Sequence, residues 1–229
     1  VGSNRDKDYL GNTGLSKNKM VVTGDPTYDE PFAKRKEDNF LKSDKKLDIL
    51  FLTVNLTSGQ GESDWTIHSR NEMVKDLISQ YEKLKNEISL KIKIHPTSER
   101  YTEYKKRLDY HNTDIQLFQH EDLIQLITKS NIILTTSAST AGVIALIMKK
   151  PVILWNYFNV HNDLFLEHGV VLECKSASEL KNCFDKVKSF TNENQLKIDN
   201  FISDFFACGN SSEKMVDAIE KLVMNTKHN

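Results

Sequence analysis

The chain has 229 residues, 38% of them hydrophobic, which is enough to bury the core of one large or two small α/β domains. Its 31 basic and 32 acidic residues give a formal net charge of -1, so no global field draws the chain to nucleic acid or to anionic lipid, and any anionic ligand must be held locally. No run of about 18 apolar residues predicts a membrane span, and the first residues lack the basic-then-apolar order of a signal peptide.

Residues 1–46 are predicted to be an inter-domain segment and linker. A helical patch lies near residues 7–10, a short apolar strand is expected over residues 20–23, and Gly24-Asp25-Pro26 predicts the turn that closes it. Residues 30–46 are rich in charged side chains and favour a solvated helix or linker. Because Val1-Gly2-Ser3 has the pattern of a strand end and its turn, we expect the sequence to begin inside a larger protein.

Residues 47–229 are predicted to form one α/β domain that ends in two helices. Short apolar runs alternate with amphipathic stretches, which is the signature of βαβ units and of a parallel sheet buried on both faces. The predicted strands cover residues 48–54, 90–94, 115–118, 131–135, 151–155 and 170–173. The predicted helices cover residues 69–87, 102–108, 122–128, 141–148, 177–190, 192–206 and 211–224. The fold class is therefore α/β, with a doubly wound, Rossmann-like parallel sheet.

Ligands of open parallel sheets bind at the carboxyl ends of the strands, so the loops after the strands are the candidate sites. The first such loop reads Asn55-Leu56-Thr57-Ser58-Gly59-Gln60-Gly61. Its glycines and hydroxyl side chains would allow a ligand to approach the backbone, although the loop has no GxGxxG or Walker pattern. An ordinary flexible loop is the alternative interpretation.

The second candidate is Lys93-Ile94-His95-Pro96-Thr97. Proline after His95 favours an extended backbone at the histidine, which would point the imidazole out of the strand end. An imidazole in that position can donate a hydrogen bond to a phosphate oxygen, or carry a positive charge beside it. A purely structural histidine at a strand end is the alternative.

The third candidate has the strongest pattern, four hydroxyl side chains within five residues between a predicted strand and a helix. The segment runs Thr135-Thr136-Ser137-Ala138-Ser139-Thr140, and Ala141-Gly142 begins the helix. A helix N-terminus offers unpaired backbone N–H groups and the positive end of a dipole, so such a turn suits a phosphate or diphosphate. The alternative is simple N-capping, which needs only one hydroxyl.

No catalytic triad or metal-ligand spacing is present, and a general base cannot be assigned from the sequence. No metal and no cofactor are expected. The three cysteines, Cys174, Cys183 and Cys208, lack metal-type spacing and are interpreted as packing residues with reduced thiols, as in a cytoplasmic protein.

The order of His95-Pro96, the Ser/Thr cluster that opens a helix, and Lys150-Pro151 before the next strand resembles the nucleotide-binding, C-terminal half of GT-B glycosyltransferases. The capsule and teichoic-acid polymerase type and the bacterial sialyltransferases are the most similar, and UDP-N-acetylglucosamine 2-epimerases are more distantly similar. Residues 7–10, 14–15 and 22–29 resemble the segment that leaves the first domain of such enzymes and enters the second, and residues 201–204 with 209–213 resemble their closing helices. The resemblance covers nearly the whole chain, but only about half of a complete enzyme.

Carried over to this sequence, the resemblance implies that His95, Ser137, Ser139 and Thr140 bind the nucleotide phosphates. It implies that Thr53, Asn55, Thr57 and Ser58 line a cleft that faces a missing N-terminal domain. Many relatives hold the ribose hydroxyls with a glutamate about one turn into the helix, where this chain has Ile144. Ribose recognition of the usual kind is therefore not expected.

The function implied is that of a donor-binding domain, for a nucleotide-sugar or CDP-polyol, in a transferase of surface polysaccharide or glycoconjugate synthesis. The implied partners are a CMP-, CDP- or UDP-linked sugar or polyol and the N-terminal domain, without which the chain is expected to be inactive. No nucleic acid is expected, the location implied is cytoplasmic, and peripheral membrane association of the full enzyme stays open. The alternatives are a 2-epimerase-like isomerase and a non-catalytic nucleotide-binding domain.

Overall fold

A computed structural model of the chain describes residues 1–35, 46–53, 67–97, 99–206 and 209–226. The chain divides into two compact units. The terminal unit comprises Val1–Lys36 and Gln195–Asn229, and the sheet unit comprises Glu37–Asn194. Within the described ranges, no helix is long and apolar enough to cross a bilayer, and no three His, Cys, Asp or Glu side chains form a group that could hold a metal ion.

The terminal unit contains helices from both ends of the chain. They are α1 (Asn4–Asn12), α2 (Asp29–Ala33), α9 (Gln195–Phe206) and α10 (Ser211–Thr226). The carboxylate of Asp29 accepts hydrogen bonds from the backbone N–H groups of Ser211, at 2.7 Å, and Ser212, at 2.9 Å, and so caps the start of α10. Residues 1–36 thus pack with the final helices, while the predicted domain boundary at residue 46 stays a prediction.

The strand predicted over residues 20–23 is wrong. These residues are described, and none of them belongs to a strand. Their backbone makes scattered hydrogen bonds instead. The amino group of Val1 donates to the Val21 carbonyl, the Thr23 N–H donates to the Val1 carbonyl, and the Met20 N–H donates to the Lys17 carbonyl. An apolar run alone does not make a strand, because a ladder needs a partner segment of similar length.

The sheet unit alternates strands and helices as the sequence predicts. The strands are β1 (Leu47–Leu52), β2 (Ile88–Lys93), β3 (Gln116–Phe118), β4 (Ile132–Thr135), β5 (Val152–Trp155) and β6 (Leu172–Cys174). The helices are α3 (Ile67–Leu84), α4 (Tyr101–Tyr110), α5 (Leu123–Thr128), α6 (Thr140–Ile147), α7 (Leu164–Glu167) and α8 (Leu180–Glu193). All strand pairs are parallel, in the order β3-β2-β1-β4-β5-β6. The predicted doubly wound α/β fold is confirmed.

Burial explains why the central strands are uniformly apolar. Every residue of β4 and of β5 is buried, as is the second half of β1, because helices cover both faces of a parallel sheet. Alternate residues of β1, Ile49 and Phe51, belong to a core cluster that includes apolar side chains of α3, α4 and α8. Cys174 and Cys183 are buried beside this cluster as free thiols, in agreement with packing roles, and Cys208 lies outside the described residues.

Candidate functional site

The strand order creates a topological switch point at the carboxyl ends of β1 and β4. After β1 the chain builds β2 and β3 on one side, and then returns to place β4 on the other side. Leu52, the last residue of β1, is in register with Lys93 of β2 and with Thr135 of β4. Neighbouring strands lie about 4.8 Å apart, so the loops that carry His95 and Ser137 leave the sheet about 10 Å from each other. Open α/β sheets bind their ligands in this position.

The serine turn, residues 136–140, leads from β4 into α6 and is fixed by three hydrogen bonds. The Thr135 hydroxyl donates to the Ser137 carbonyl at 3.0 Å. The Ala138 N–H donates to a carboxylate oxygen of Asp163 at 2.6 Å. The Ser139 hydroxyl accepts from the Gly142 N–H at 3.2 Å, which makes Ser139 the N-cap of α6.

These bonds separate the four hydroxyl groups of the turn by role. Thr136 is 1% exposed, and its hydroxyl has no hydrogen-bond partner among the described residues. Ser139 caps the helix, so simple N-capping, the alternative interpretation of the sequence, applies to this residue. Ser137 is half-buried and Thr140 is exposed, which leaves these two hydroxyls able to reach a ligand at the first turn of α6.

The loop after β5 supports the serine turn from the side, and the sequence analysis missed its contribution. Asp163 is buried, and its second carboxylate oxygen accepts from the N–H groups of Phe165, at 2.9 Å, and Leu166, at 3.4 Å, so that one side chain caps α7 and holds Ala138. A Cβ atom on Gly142 would lie 2.7 Å from Cε2 of Phe165, so α6 packs closely on α7. The sequence shows the N-cap pattern, which is an aspartate before an apolar run. It does not show that Asp163 also bonds to the Ala138 N–H.

The loop that carries His95 is tied to the end of β1 through Thr53. The His95 N–H donates to the Thr53 hydroxyl at 2.9 Å, and that hydroxyl donates in turn to the carboxylate of Glu99. The imidazole is half-buried, and its Nδ1 lies 3.4 Å from the Thr97 hydroxyl. Thr53 is buried and links this loop to the end of β1, and its predicted place in a cleft stays a prediction. Asn55, Thr57 and Ser58 lie outside the described residues.

Glu99 is a buried carboxylate that the sequence analysis did not single out. It is 5% exposed, and the Tyr104 hydroxyl donates to its second oxygen at 2.8 Å. Burial raises its pKa, although the hydrogen bonds from Thr53 and Tyr104 and the charge of Arg70 lower it in part. No local sequence signal marks this residue, because its partners lie in three different elements.

The amide of Gln119, after β3, anchors the same loop from the other side. Its Nε2 donates to the Pro96 carbonyl at 3.3 Å and to the Glu99 carbonyl at 3.0 Å. The amine of Lys93 donates to the Gln119 carbonyl at 2.5 Å, and burial lowers the pKa of this lysine. Loops after three adjacent strands therefore fix the backbone around His95.

Two other residues noted in the sequence have structural roles. Ile144 has an apolar side chain that is buried in α6, so it cannot bind the hydroxyls of a ribose. Lys150 lies at the opposite edge of the sheet, before β5, and its buried amine donates to the carbonyls of Thr128, at 3.0 Å, and Ser130, at 2.9 Å. A cation at the end of α5 stabilises the helix dipole and its last carbonyl groups.

The raised pKa of Glu99 predicts a pH dependence of stability. The folded protein holds the proton of this carboxyl more tightly than the unfolded chain does, so protonation of Glu99 stabilises the fold. This contribution to the free energy of unfolding is complete below the ordinary pKa of 4.5 and is lost as the pH rises through the raised pKa of the folded protein. We expect the free energy of unfolding of the wild type, minus that of Glu99→Gln, to fall as the pH rises above 4.5, measured by urea denaturation. A pH-independent difference would contradict the raised pKa.

Comparisons with known proteins agree with this architecture. No protein-family model and no curated protein sequence matches the chain. Among solved structures, the wall teichoic acid polymerase TagF is similar, with a TM-score of 0.62 and 15% identity over 99% of this chain and 58% of that chain. The UDP-GlcNAc 2-epimerase of Methanocaldococcus jannaschii is similar with a TM-score of 0.53 and 17% identity over 96% of this chain and 60% of that chain.

Identities this low compare folds alone. This chain spans 58% of the length of TagF, so the activity of a whole enzyme is not part of the comparison. The six-stranded parallel sheet, its strand order and the likeness to both proteins together show that the chain has the α/β fold of GT-B-type proteins, as the resemblance implied.

Proposed function

We propose that the chain is the donor-binding half of a glycosyltransferase that acts in surface polysaccharide or glycoconjugate synthesis. Its ligand in this proposal is a CMP-, CDP- or UDP-linked sugar or polyol. The observation that carries the proposal is the serine turn, which places hydroxyl groups and a helix N-terminus at the switch point of the sheet, beside the loop of His95.

The chemistry of the turn suits a leaving phosphate. The N–H groups of Thr140 and Ala141 lie in the first turn of α6, where no intrahelical carbonyl is available to them. The hydroxyls of Ser137 and Thr140 add donors, and the imidazole of His95 adds another from the neighbouring loop. Donors fixed in advance stabilise the charge that develops on the phosphate as the bond to the sugar breaks.

The solved structures support this class of ligand. A TagF variant was studied after a soak with CDPG, and the epimerase was solved in complex with UDP-GlcNAc and UDP. Because the chain spans 58% of TagF, we propose that an additional N-terminal domain supplies the acceptor site and the general base. We also propose that the enzyme works in the cytoplasm, where nucleotide-activated donors are made.

A 2-epimerase-like isomerase is the second candidate, favoured by the likeness to the archaeal epimerase over 96% of this chain. The two candidates differ in a product that can be measured. An epimerase converts UDP-GlcNAc into its C2 epimer without an acceptor, whereas a transferase needs an acceptor to release the nucleotide. Incubation of the full-length protein with UDP-GlcNAc alone, followed by NMR of the sugar, distinguishes them.

Nucleotide binding by the chain is tested by titration calorimetry with CMP, CDP, UDP and UDP-N-acetylglucosamine. We expect at least one of them to bind. If none binds at millimolar concentration, the proposed site is wrong. Binding that survives alanine substitution of both Ser137 and Thr140 would place the nucleotide elsewhere.

Ser137→Ala is expected to weaken nucleotide binding by about 1 to 2 kcal/mol, the size of a hydrogen bond to a charged group. The melting temperature should change little, because the Ser137 hydroxyl is not the helix cap. Ser139→Ala should instead lower the melting temperature, since it removes the cap of α6. Ser79→Ala, at an exposed position within α3, is the control and should change neither quantity. Equal affinity of Ser137→Ala and the wild type would exclude a phosphate contact by this hydroxyl.

A further inference from the structure

The last helix, α10, carries an apolar surface that the structure leaves exposed. Its first turn is fixed, because Ser211 is buried and the carboxylate of Asp29 caps the helix. Beyond that turn, residues 212–224 are all exposed except the half-buried Ala218. A helix of this length is marginal in water unless its apolar face packs against another surface. We therefore expect a second surface to cover α10.

The apolar residues of α10 lie mainly on one side of the helix. They recur three, four and seven residues apart, which is the spacing of one helix face, and we call this set the α10 stripe. The α10 stripe consists of Met215, Val216, Ile219, Leu222 and Val223, whose exposed fractions lie between 38% and 67%. Met224 is also exposed, but at about 3.6 residues per turn it lies on the other side of the helix.

Exposed apolar side chains are concentrated in the terminal unit, to which α10 belongs. Among the described residues, ten of the twelve large hydrophobic side chains that are exposed lie in this unit, although it contains less than a third of the chain. Single apolar residues scattered over a surface are normal, whereas a contiguous set marks an interaction site. The α10 stripe is such a set.

We propose that the α10 stripe packs against the same stripe of a second copy of this chain, as two parallel helices related by a two-fold axis. A two-fold dimer brings the same surface of both copies together, and apolar residues at helical spacing interlock when two helices pack along their length. Ile219 is the middle residue of the stripe and meets its counterpart near the axis. Because each copy contributes only five side chains, the interface is small, and its dissociation constant is on the order of 10 µM.

The charged residues beside the α10 stripe favour the parallel orientation. Glu213 and Glu220 lie seven residues apart, in one column beside the valines of the stripe, and Lys214 and Lys221 form a second column toward the opposite border. Parallel pairing brings the glutamate border of one helix toward the lysine border of the other, whereas antiparallel pairing brings like charges together. Within the described ranges none of these four side chains forms an ion pair, and the Lys214 amine donates to the Gly209 carbonyl at 2.8 Å.

An anionic membrane is a poorer fit for α10 than a second copy. Amphipathic helices that bind such membranes have a polar face rich in lysine and arginine. The polar face of α10 instead has more acidic than basic residues, Glu213, Asp217 and Glu220 against Lys214 and Lys221. The surface of an additional domain is the other candidate occupant, and the oligomeric state of the chain distinguishes it from a second copy.

Sedimentation equilibrium of the full chain, from about 1 µM to about 300 µM, tests the proposal. We expect a reversible monomer–dimer equilibrium for the wild type. Ile219→Glu should raise the dissociation constant about a hundredfold or more, because it places two carboxylates face to face within the pair. Met224→Glu, the matched control, adds the same charge on the other side of α10 and should stay within about twofold of the wild type. Both positions are exposed, so neither change should alter the melting temperature of the monomer.

Reversal of one charge tests the orientation of the two helices. Glu220→Lys should weaken the parallel dimer about threefold or more, because lysines then face each other across the border, and adding Lys221→Glu should restore the affinity. In an antiparallel dimer the single change would instead replace a repulsive pair by an attractive one. Stronger association of Glu220→Lys would therefore contradict the parallel pairing.

Three further results would overturn the proposal. They are a wild-type chain that stays monomeric up to about 300 µM, a dimer that Ile219→Glu leaves intact, and equal weakening by Ile219→Glu and Met224→Glu. The first result would point to an additional domain as the occupant. Nucleotide binding by Ile219→Glu should equal that of the wild type, because the α10 stripe shares no residue with the serine turn, so either proposal can fail while the other holds.

Discussion

Glu99→Ala is expected to lower the free energy of unfolding by about 2 to 4 kcal/mol, the range for breaking a buried hydrogen-bond network. The substitution removes the acceptor of the Thr53 and Tyr104 hydroxyls, both of which are buried, and leaves a void among them. Because Thr53 also accepts from the His95 N–H, nucleotide affinity should fall together with stability. Urea denaturation and titration calorimetry measure the two effects.

The matched control for this substitution is Glu82→Ala. Glu82 lies in α3, and among the residues that the structure describes its side chain pairs only with Lys85, at the surface, so its loss should cost less than about 0.5 kcal/mol. Tyr104→Phe removes one of the two bonds to Glu99 and should cost about 1 kcal/mol. If Glu99→Ala were no more destabilising than Glu82→Ala, the network would contribute nothing to the fold.

Asp163→Ala is expected to lower the free energy of unfolding by about 2 to 3 kcal/mol and to weaken nucleotide binding as well. The carboxylate caps α7 through the N–H groups of Phe165 and Leu166, and its other oxygen holds the Ala138 N–H. Loss of a cap costs about 1 kcal/mol, and an unpaired N–H in this partly buried turn adds a further 1 to 2 kcal/mol. Without that bond, the serine turn loses one of its three fixed points.

Asp122→Ala separates the two roles of Asp163. Asp122 is also an aspartate N-cap, since it accepts from the Gln125 N–H at 2.9 Å at the start of α5, and its carboxylate does not bond to the described serine turn. Its replacement should cost about 1 kcal/mol of stability and leave nucleotide affinity unchanged. If both variants bound nucleotide as tightly as the wild type, Asp163 would be a helix cap alone.

Glu99 and Asp163 act in the same way on the two loops of the proposed site. Each is a buried carboxylate that accepts hydrogen bonds from a loop after one strand and from a second element, so each loop is held from two sides. Donors that are fixed before the ligand binds need less ordering when it arrives. The fold therefore positions the proposed phosphate site through residues that would not touch the phosphate.

The sequence by itself determined the strand and helix pattern of residues 47–206 except for the short helix α7, which it did not predict. All six strands of the sheet were predicted, because buried parallel strands are continuous apolar runs and the helices between them are amphipathic. It also placed His95 and the serine turn at the carboxyl ends of strands, which follows from the direction of a parallel sheet. These are properties of a residue and its near neighbours along the chain.

Only the tertiary structure decided which polar groups meet. The pairing of Glu99 with Thr53 joins residues 46 positions apart, and that of Asp163 with Ala138 joins residues 25 apart, so no local pattern reveals either. The same holds for residues 20–23, whose apolar run forms no strand because it lacks a partner strand. Hydrophobic periodicity indicates which residues of one element are buried, whereas hydrogen bonds between loops depend on how the strands are ordered in the sheet.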